Sequence, residues 1–162
     1  MSAAPVLEGA LDRDLTRLAR SRIAGKGLFA KRAIRNGMRI VEYQGRHRSL
    51  LDVMAEHPAT PPNAYLLRLD EGTVIDGADG GSDARFVNHG CAPNCIALAF
   101  HRRVYVYALR DIARGEELTM DYQMRAPLDG AWSASDAARY TCPCGAPECR
   151  GARLSIAIRE TT

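Results

Sequence analysis

The sequence predicts a mostly β domain that is built from short strands and contains few helices. Segments that favour strands are short and rich in β-branched or aromatic residues, as in Val104–Leu109. Turn signals such as Asn36-Gly37 and Arg114-Gly115 separate these segments at close intervals. Helical composition is found in Leu50–His57 and Ser133–Arg139. This combination is typical of a β-rich domain, and the pattern leaves the strand order open.

The elements are expected in a definite order along the chain. Residues 1–17 should form a short extension that is either helical or frayed. The predicted strands are short strands around Gly25-Lys26-Gly27 between Arg20 and Ile34, then Met38–Tyr43, Ala64–Leu69, Thr73–Ile75, Ile96–Phe100, Val104–Leu109 and Glu117–Tyr122. The helix over Leu50–His57 should end at Pro58, because proline lacks the backbone N–H that a helix interior needs. Ser133 is a suitable N-cap for the second helix.

Composition limits the class of protein. The chain has 162 residues, of which 46% are hydrophobic and 25% charged, as in an ordinary globular domain. Its net charge of +3 is too small to indicate nucleic-acid binding. No apolar run is long enough to span a membrane, and Glu8 and Asp12 stand where a signal peptide would be basic and then apolar. We therefore expect an intracellular, cytoplasmic protein, with export to a host and the oligomeric state left open.

Three cysteines near the C-terminus have the spacing of a metal site. Cys142, Cys144 and Cys149 are separated by proline and glycine, which favour a tight non-helical loop. A closed structural zinc site needs four ligands, so a fourth must come from elsewhere in the chain. The candidates for the fourth ligand are Cys91, Cys95, His89 and His101, of which Cys91 is favoured.

The segment Arg85–Cys95 carries the greatest density of chemically distinct polar groups: a cation, two carboxamides, an imidazole and two thiols. A site that binds a charged cofactor and anchors a metal would use all of them. Gly25-Lys26-Gly27 lets backbone amides approach a ligand closely, although such a pattern is more often a plain turn. Tyr65 and Tyr122 could belong to the same site or could be ordinary packing residues, because a strand tyrosine usually packs with its hydroxyl at the edge. Glu116-Glu117 is interpreted as a solvated turn.

Five acidic residues follow one another between Leu69 and Ala84 without an intervening lysine or arginine. They are Asp70, Glu71, Asp76, Asp79 and Asp83. One interpretation is an ordinary polar hairpin and loop. The other is an acidic rim that attracts a basic peptide over a range limited by salt screening.

Six motifs together resemble a known family. In order they are Gly25-Lys26-Gly27-Leu28-Phe29-Ala30, Glu42-Tyr43-x-Gly45, Tyr65-Leu66-Leu67, Arg85 to Asn94, Gly115 to Tyr122, and Cys142-Pro143-Cys144-Gly145-x3-Cys149-Arg150-Gly151. In this order they resemble the SET-domain protein lysine methyltransferases, followed by a post-SET zinc loop. The resemblance covers residues 18–154 and implies an N-terminal extension over 1–17, a SET domain over 18–125 and a post-SET segment over 126–162. It also implies a SET fold of short β-sheets, in which the segment around Asn88 and the strand ending at Tyr122 form a pseudoknot-like core.

The resemblance assigns two ligands. S-adenosyl-L-methionine would lie in a pocket made by the backbone around Lys26, Gly27 and Leu28 and by the residues Tyr65, Arg85, Asn88 and His89. One structural Zn²⁺ would be bound by Cys91, Cys142, Cys144 and Cys149. The resemblance assigns no role to Cys95.

The resemblance also implies the chemistry. The enzyme must present a neutral lysine amine, although lysine has a pKa of about 10.4 in water, and a narrow aromatic channel lowers that pKa by desolvation. Tyr122 would orient the amine and the methyl group, and Tyr43 would help to wall the channel. The implied substrate is a basic protein, a histone or a histone-like protein. The alternatives are a non-histone substrate such as a ribosomal protein, and a catalytically silent SET module that binds a partner.

Some features depart from the family. No cysteine-rich region precedes Arg20, and Arg46–Asn63 is a short insert where the family usually contacts the substrate peptide. Met120 stands where many relatives have an aromatic residue that influences how many methyl groups are added. The degree of methylation and the target lysine therefore stay open.

Overall fold

The computed structural model describes residues 14–56, 65–70, 72–125, 138 and 140–155. Its strands are β1 Thr16–Arg20, β2 Lys26–Ala30, β3 Arg39–Tyr43, β4 Arg46–Ser49, β5 Leu66–Arg68, β6 Thr73–Asp76, β7 Asn88–His89, β8 Cys95–Phe100, β9 Arg103–Ala108, β10 Thr119–Met120, β11 Met124–Arg125 and β12 Leu154–Ser155. Leu50–Glu56 forms helix α1 and Asp83–Phe86 forms a 3-10 helix. The fold is mostly β, as the sequence predicts. Within the described ranges, no helix has both the length and the apolar character needed to cross a bilayer.

Small sheets flank a larger central one. Strands β1 and β2 form an antiparallel hairpin whose turn includes Gly25 at a φ of +46°, a conformation that favours glycine. Strands β4, β6 and β5 form an antiparallel sheet with β6 in the middle. Strands β11 and β12 pair in parallel and join the segment after the central sheet to the end of the described chain.

The central sheet has the order β3-β9-β8-β10-β7. Strand β10 pairs in parallel with both neighbours: Thr119 lies opposite Asn88, and Met120 lies opposite His89 and Cys95. A late segment of the chain is thus inserted between two earlier strands that are joined by a short loop. This threading is the pseudoknot-like core that the family resemblance implies.

The residues of β9 account for its central position. Val104 to Ala108 are buried on both faces, and their β-branched and aromatic side chains fill the layers on either side. The β8–β9 hairpin turns through His101 and Arg102, which have φ values of 46° and 62°. Two successive residues of this kind form the type I′ turn that matches the twist of paired strands.

Most predicted elements are confirmed, with differences at their ends. The strands at Met38–Tyr43, Ile96–Phe100 and Val104–Leu109 and the helix over Leu50–His57 appear within a residue or two of their predicted limits in the described chain. The helix expected over Ser133–Arg139 lies outside the described residues apart from Ala138.

Three regions differ from the prediction. Strand β1 begins at Thr16, within the segment assigned to the extension. Strand β4 was not predicted, because its arginines and histidine favour a loop and only pairing with β6 makes it extended. The strand predicted over Glu117–Tyr122 is too long, and the ladder contains only Thr119–Met120. The reason is that the Leu118 N–H donates instead to the Leu28 carbonyl of β2, at 2.8 Å.

The core lies between the β1–β2 hairpin and the central sheet. Leu28 and Leu118 are both fully buried, and they pack with the inner side chains of β9. We expect Leu118→Ala to lower the free energy of unfolding by about 2–5 kcal/mol, because the cavity left behind cannot collapse fully. Chemical denaturation measures this loss. Leu51→Ala, at a side chain that is 77% exposed, is the matched control and should change the stability by less than about 0.5 kcal/mol.

Candidate active site

Four cysteine thiols meet beside β7. The Sγ atoms of Cys91, Cys142, Cys144 and Cys149 all lie within 4.8 Å of one another. Cys91 Sγ is 3.7 Å from Cys142 Sγ and 3.8 Å from Cys149 Sγ. A tetrahedral zinc ion with Zn–S bonds of about 2.3 Å requires sulfur atoms about 3.8 Å apart. The four thiols are free of disulfides, and both their number and their spacing fit a closed structural zinc centre.

The loop that carries three of these thiols, residues 141–153 and hereafter the cysteine loop, closes on itself. The Cys142 N–H donates to the Gly151 carbonyl at 3.0 Å, and the Cys149 N–H donates to the Ala146 carbonyl at 3.0 Å. Gly145 and Gly151 have φ values of 69° and 73°, so glycine permits the tight turns. The thiol of Cys91 lies with those of this loop, so a metal bound there would tie the loop to the central sheet.

Two of the other candidate ligands, Cys95 and His101, lie apart from the cluster. Cys95 is buried in the core on β8, and burial raises the pKa of its thiol to about 12. His101 lies in the β8–β9 turn with its ring edge against Phe100. Cys95, which had no role in the sequence comparison, therefore packs as a small apolar side chain.

The imidazole of His89 joins the thiol cluster to Tyr122. Its Nδ1 accepts a hydrogen bond from the Tyr122 N–H at 3.1 Å, so the proton of the neutral ring is on Nε2. Nε2 lies 3.4 Å from Cys91 Sγ and donates toward it. Burial lowers the pKa of His89 and so keeps the ring neutral, although the nearby Asp121 carboxylate acts in the opposite direction. The same side chain thus contacts both the Cys91 thiol and the backbone of Tyr122.

A second contact attaches the cysteine loop to the sheet. Both Asp121 carboxylate oxygens accept from the Arg150 guanidinium at 2.9 Å, in a bidentate pair. The hydrogen bonds from Arg150 hold the pKa of Asp121 below its usual value. Because the pair joins the residue before Tyr122 to the residue after Cys149, it fixes the loop beside Tyr122.

A cavity of about 160 Å³ lies under this loop. Its lining residues are Ile23, Ala24, Asn88, His89, Tyr122, Thr141, Pro143 and Arg153. They come from the turn before β2, from β7, from the end of the threaded segment and from the cysteine loop. The structure thus brings together Asn88, His89 and Tyr122, three residues that the sequence comparison assigned to one site.

The remaining residues assigned to the cofactor lie elsewhere. The Arg85 guanidinium lies 4.8 Å from the centre of the Phe86 ring, and Lys26 Nζ lies 5.6 Å from it. The Tyr65 ring meets the same phenylalanine edge-on at 5.6 Å. Leu28 is buried in the core and offers only its backbone. These residues do not line the cavity, and their contact with a cofactor stays a prediction.

Of the two tyrosines assigned to catalysis, Tyr43 is buried and Tyr122 is partly buried, and both are neutral. The Tyr122 hydroxyl donates to the Val87 carbonyl at 3.0 Å, and burial raises its pKa to about 12. The Tyr43 hydroxyl donates to the Tyr65 carbonyl at 2.5 Å. Burial holds the pKa of Tyr43 well above its usual range, and nearby Tyr122 raises it further. Neither phenol ionises near neutral pH, so both orient neighbouring groups as neutral hydroxyls.

The acidic segment supports the simpler of its two interpretations. Asp70, Asp76 and Asp79 lie within 4 Å of the guanidinium groups of Arg102, Arg48 and Arg46, at 3.8, 3.6 and 3.4 Å respectively. These pairs neutralise part of the negative charge. An ordinary polar hairpin and loop accounts for the segment.

Comparison with known proteins decides the family. A family model described as the SET domain matches residues 25–123. The chain belongs to the SET domain family. This SET domain is 43% identical over 141 residues to a Saccharomyces cerevisiae protein named histone-lysine N-methyltransferase, H3 lysine-4 specific, and the match covers 82% of the chain and 12% of the relative.

Relatives from other organisms carry similar names. An Aspergillus fumigatus protein of the same name is 41% identical over 143 residues, covering 83% of this SET domain and 11% of the relative. A Homo sapiens protein named histone-lysine N-methyltransferase 2B is 39% identical over 138 residues, covering 81% and 5%. The chain spans about a tenth or less of the length of these curated relatives.

Sequence reasoning missed part of this SET domain's site. Ile23 and Ala24, which directly precede Gly25 of the glycine motif, line the cavity. Thr141, Pro143 and Arg153 line it from the cysteine loop. No local signal marks them, because their place depends on how the loop docks. Glu117, interpreted as part of a solvated turn, instead accepts hydrogen bonds from Asn88 and Ser21.

The partly buried phenol of Tyr122 lowers the stability of the fold at alkaline pH. Its pKa is about 12 in the folded protein and about 10 in the unfolded chain, so unfolding is favoured as pH rises from 10 to 12. We expect the free energy of unfolding to fall over this window by up to about 1.4 kcal/mol per pH unit from this group. Denaturation curves at a series of pH values measure the fall. In Tyr122→Phe the slope should be shallower, and an unchanged slope would contradict the assignment.

Proposed function

We propose that this SET domain transfers methyl groups from S-adenosyl-L-methionine to the side-chain amine of lysine in a basic protein, a histone or a histone-like protein. The observation that carries the proposal is the cavity lined by Asn88, His89 and Tyr122 beneath the cysteine loop, whose three thiols lie with that of Cys91. Membership of the SET domain family supports the reaction class. The names of the relatives, which describe those proteins as histone-lysine N-methyltransferases, support the substrate class.

The proposal assigns the ligands as the sequence comparison does. S-adenosyl-L-methionine is bound by Lys26, Gly27, Leu28, Tyr65, Arg85, Asn88 and His89, and one zinc ion by Cys91, Cys142, Cys144 and Cys149. Asn88 and His89 have the strongest support, because they line the cavity. The spacing of the thiols supports zinc, since it matches the sulfur separation of a zinc tetrahedron.

The chemistry proposed for the protein is positioning in a water-poor site. S-adenosyl-L-methionine supplies a methyl group on a positively charged sulfur. Tyr43 and Tyr122 present neutral hydroxyls and aromatic rings, and a lysine bound between them is removed from water, which disfavours the charged amine and so lowers its pKa. Tyr122, held by the Val87 carbonyl, orients the amine toward the methyl group. Alignment of the two reactants supplies much of the rate enhancement.

The proposal includes the domain limits and the location expected from the sequence. A SET domain over 18–125 and a post-SET zinc segment over 126–162 agree with the thiol loop lying after the matched residues 25–123. An intracellular location would place the enzyme with histones or histone-like proteins.

A methylation assay tests the proposal. The purified chain is incubated with S-adenosyl-L-methionine labelled in its methyl group and with histones, ribosomal proteins, and histone H3 peptides that carry lysine or arginine at position 4. Label on lysine of histone H3, absent from the arginine peptide, is the expected result. Label found only on ribosomal proteins would show that the substrate is a ribosomal protein and not a histone. Cofactor binding without label on any protein would favour the silent binding module.

A further inference from the structure

The carboxylate of Glu117 lies behind the wall of the cavity and is hydrogen-bonded to Asn88, which lines it. Its Oε1 accepts hydrogen bonds from Asn88 Nδ2 at 2.8 Å and from the Ser21 hydroxyl at 2.7 Å. Both partners are distant in sequence, and Asn88 lines the cavity. The neighbouring Glu116 does something different, since it binds Asn94 and Arg110 away from the cavity.

The surroundings of Asn88 decide which way its amide faces. Nδ2 lies 3.3 Å from the Ala24 carbonyl, 3.0 Å from the Lys26 carbonyl and 2.8 Å from Glu117 Oε1. Carbonyl and carboxylate oxygens only accept hydrogen bonds, so the amino group of the amide must face them. The oxygen is then the free end of a side chain that is only 8% exposed. Among the described residues it has no hydrogen-bond partner, so it is available to a donor in the cavity.

The Ser21 hydroxyl extends the same support to the part of the wall that adjoins Asn88. It donates to Glu117 and accepts from the Ile23 N–H at 2.8 Å and the Ala24 N–H at 3.3 Å. Ile23 and Ala24 line the cavity. One carboxylate oxygen therefore positions both the amide of Asn88 and the turn that faces it.

Gly27 makes room for this carboxylate. A Cβ atom at this position would lie 2.3 Å from Glu117 Oε1, closer than real contacts allow. The side chain of Glu117 would have to move, and it would then leave Asn88 and Ser21. Space for Glu117 is thus a reason for glycine here that is independent of any close approach of the backbone to a ligand.

We propose that Glu117 is a positioning residue for the cofactor, which holds the Asn88 amide so that its oxygen accepts a hydrogen bond from an N–H group of S-adenosyl-L-methionine. The proposal rests on the function proposed above and adds a residue to it. Glu117 acts through Asn88 and the Ser21 turn and does not contact the reacting atoms. Glu117 supplies an acceptor oxygen at a fixed position. The length of its side chain is therefore expected to matter, and its charge is not.

Two conservative changes separate reach from charge. Glu117→Gln keeps an acceptor oxygen at the same distance and removes the charge, whereas Glu117→Asp keeps the charge and withdraws the oxygen. Titration calorimetry of the full chain with S-adenosylhomocysteine measures the affinity. We expect Glu117→Asp and Glu117→Ala to raise Kd about tenfold, and Glu117→Gln to stay within about twofold of the unchanged protein. Glu116→Ala is the matched control, with an unchanged Kd.

Kinetics give a second readout. With a histone substrate, Glu117→Asp should raise KM for S-adenosyl-L-methionine about tenfold and leave kcat at saturating cofactor nearly unchanged. If Glu117→Asp merely unfolded part of the protein, kcat would fall in proportion to the fraction that stays folded. The KM effect would then not depend on whether the replacement is aspartate or glutamine.

A double-mutant cycle tests the link to Gly27. Gly27→Ala should weaken S-adenosylhomocysteine binding in the unchanged protein but add little to Glu117→Ala, because the carboxylate that it displaces is already absent. Additive losses would show that Gly27 acts directly on the ligand and would overturn this part of the inference.

The outcomes separate this inference from the proposed function. If the unchanged protein does not bind S-adenosylhomocysteine, the proposed function fails and the inference fails with it. If the unchanged protein binds it and Glu117→Asp and Glu117→Ala bind equally well, the inference alone is overturned. Weak binding by Glu117→Gln with full binding by Glu117→Asp would also overturn it, since charge would then be the cause.

Discussion

Replacing Tyr122 with phenylalanine is expected to lower kcat for lysine methylation about a hundredfold or more. The side chain is partly buried, and its neutral hydroxyl is oriented by the Val87 carbonyl, so its loss removes a group already placed for the reaction. The ring remains and continues to line the cavity, so the Kd for S-adenosylhomocysteine should change little. Single-turnover rates at saturating cofactor, together with calorimetric titration, measure the two effects separately.

Tyr107→Phe is the matched control for removing a hydroxyl from a buried tyrosine. Tyr107 lies on β9, is nearly as buried as the core around it, and does not line the cavity. Its variant should keep kcat. A Tyr122→Phe enzyme that retains more than about half of the original kcat would remove Tyr122 from the proposed mechanism.

Replacing Cys91 with serine is expected to reduce zinc from about one ion per chain to nearly none, because three thiols cannot close a tetrahedral centre. The cysteine loop would then be held to the sheet chiefly by the Asp121–Arg150 pair. Thr141 and Pro143 line the cavity from this loop, so S-adenosylhomocysteine affinity should fall as well. Elemental analysis measures the zinc, and calorimetric titration measures the affinity.

Cys95→Ala is the control for the loss of a thiol. Cys95 lies in the core away from the four-thiol cluster, so this variant should keep its zinc and its affinity for S-adenosylhomocysteine, with only a modest loss of stability. Zinc near one per chain in Cys91→Ser would contradict the assignment of the fourth ligand.

The parts of the fold that the sequence predicts well are those with a strong local pattern. The β8–β9 hairpin has runs of β-branched and aromatic residues on either side of a two-residue turn, and it forms where predicted. Strand β4 has no such pattern and becomes extended only through its pairing with β6. The segment from Glu117 to Tyr122 has the composition of one strand, but its backbone is divided between β2 and the central sheet.

The site shows the same division. The need for a fourth metal ligand follows from the count of three clustered cysteines, and the thiol of Cys91 does lie with theirs. The role of Glu117 does not follow from its neighbours, because a pair of glutamates after a glycine is the usual composition of an exposed turn. Its partners Ser21 and Asn88 are 96 and 29 residues away in the chain.

The sequence by itself determined the mostly β class, the resemblance to SET-domain methyltransferases and the need for a metal ligand outside the C-terminal loop. These depend on residue types, on their spacing and on the order of the motifs, all of which are present in the chain before it folds. Only the tertiary structure decided that Thr119–Met120 lies between two earlier strands and that Thr141 and Pro143 close the cavity. It also decided that Glu117 accepts a hydrogen bond from Asn88. The physical reason is that short strands carry no register information of their own, so their pairing and the contacts of distant side chains are set by the packing of the whole domain.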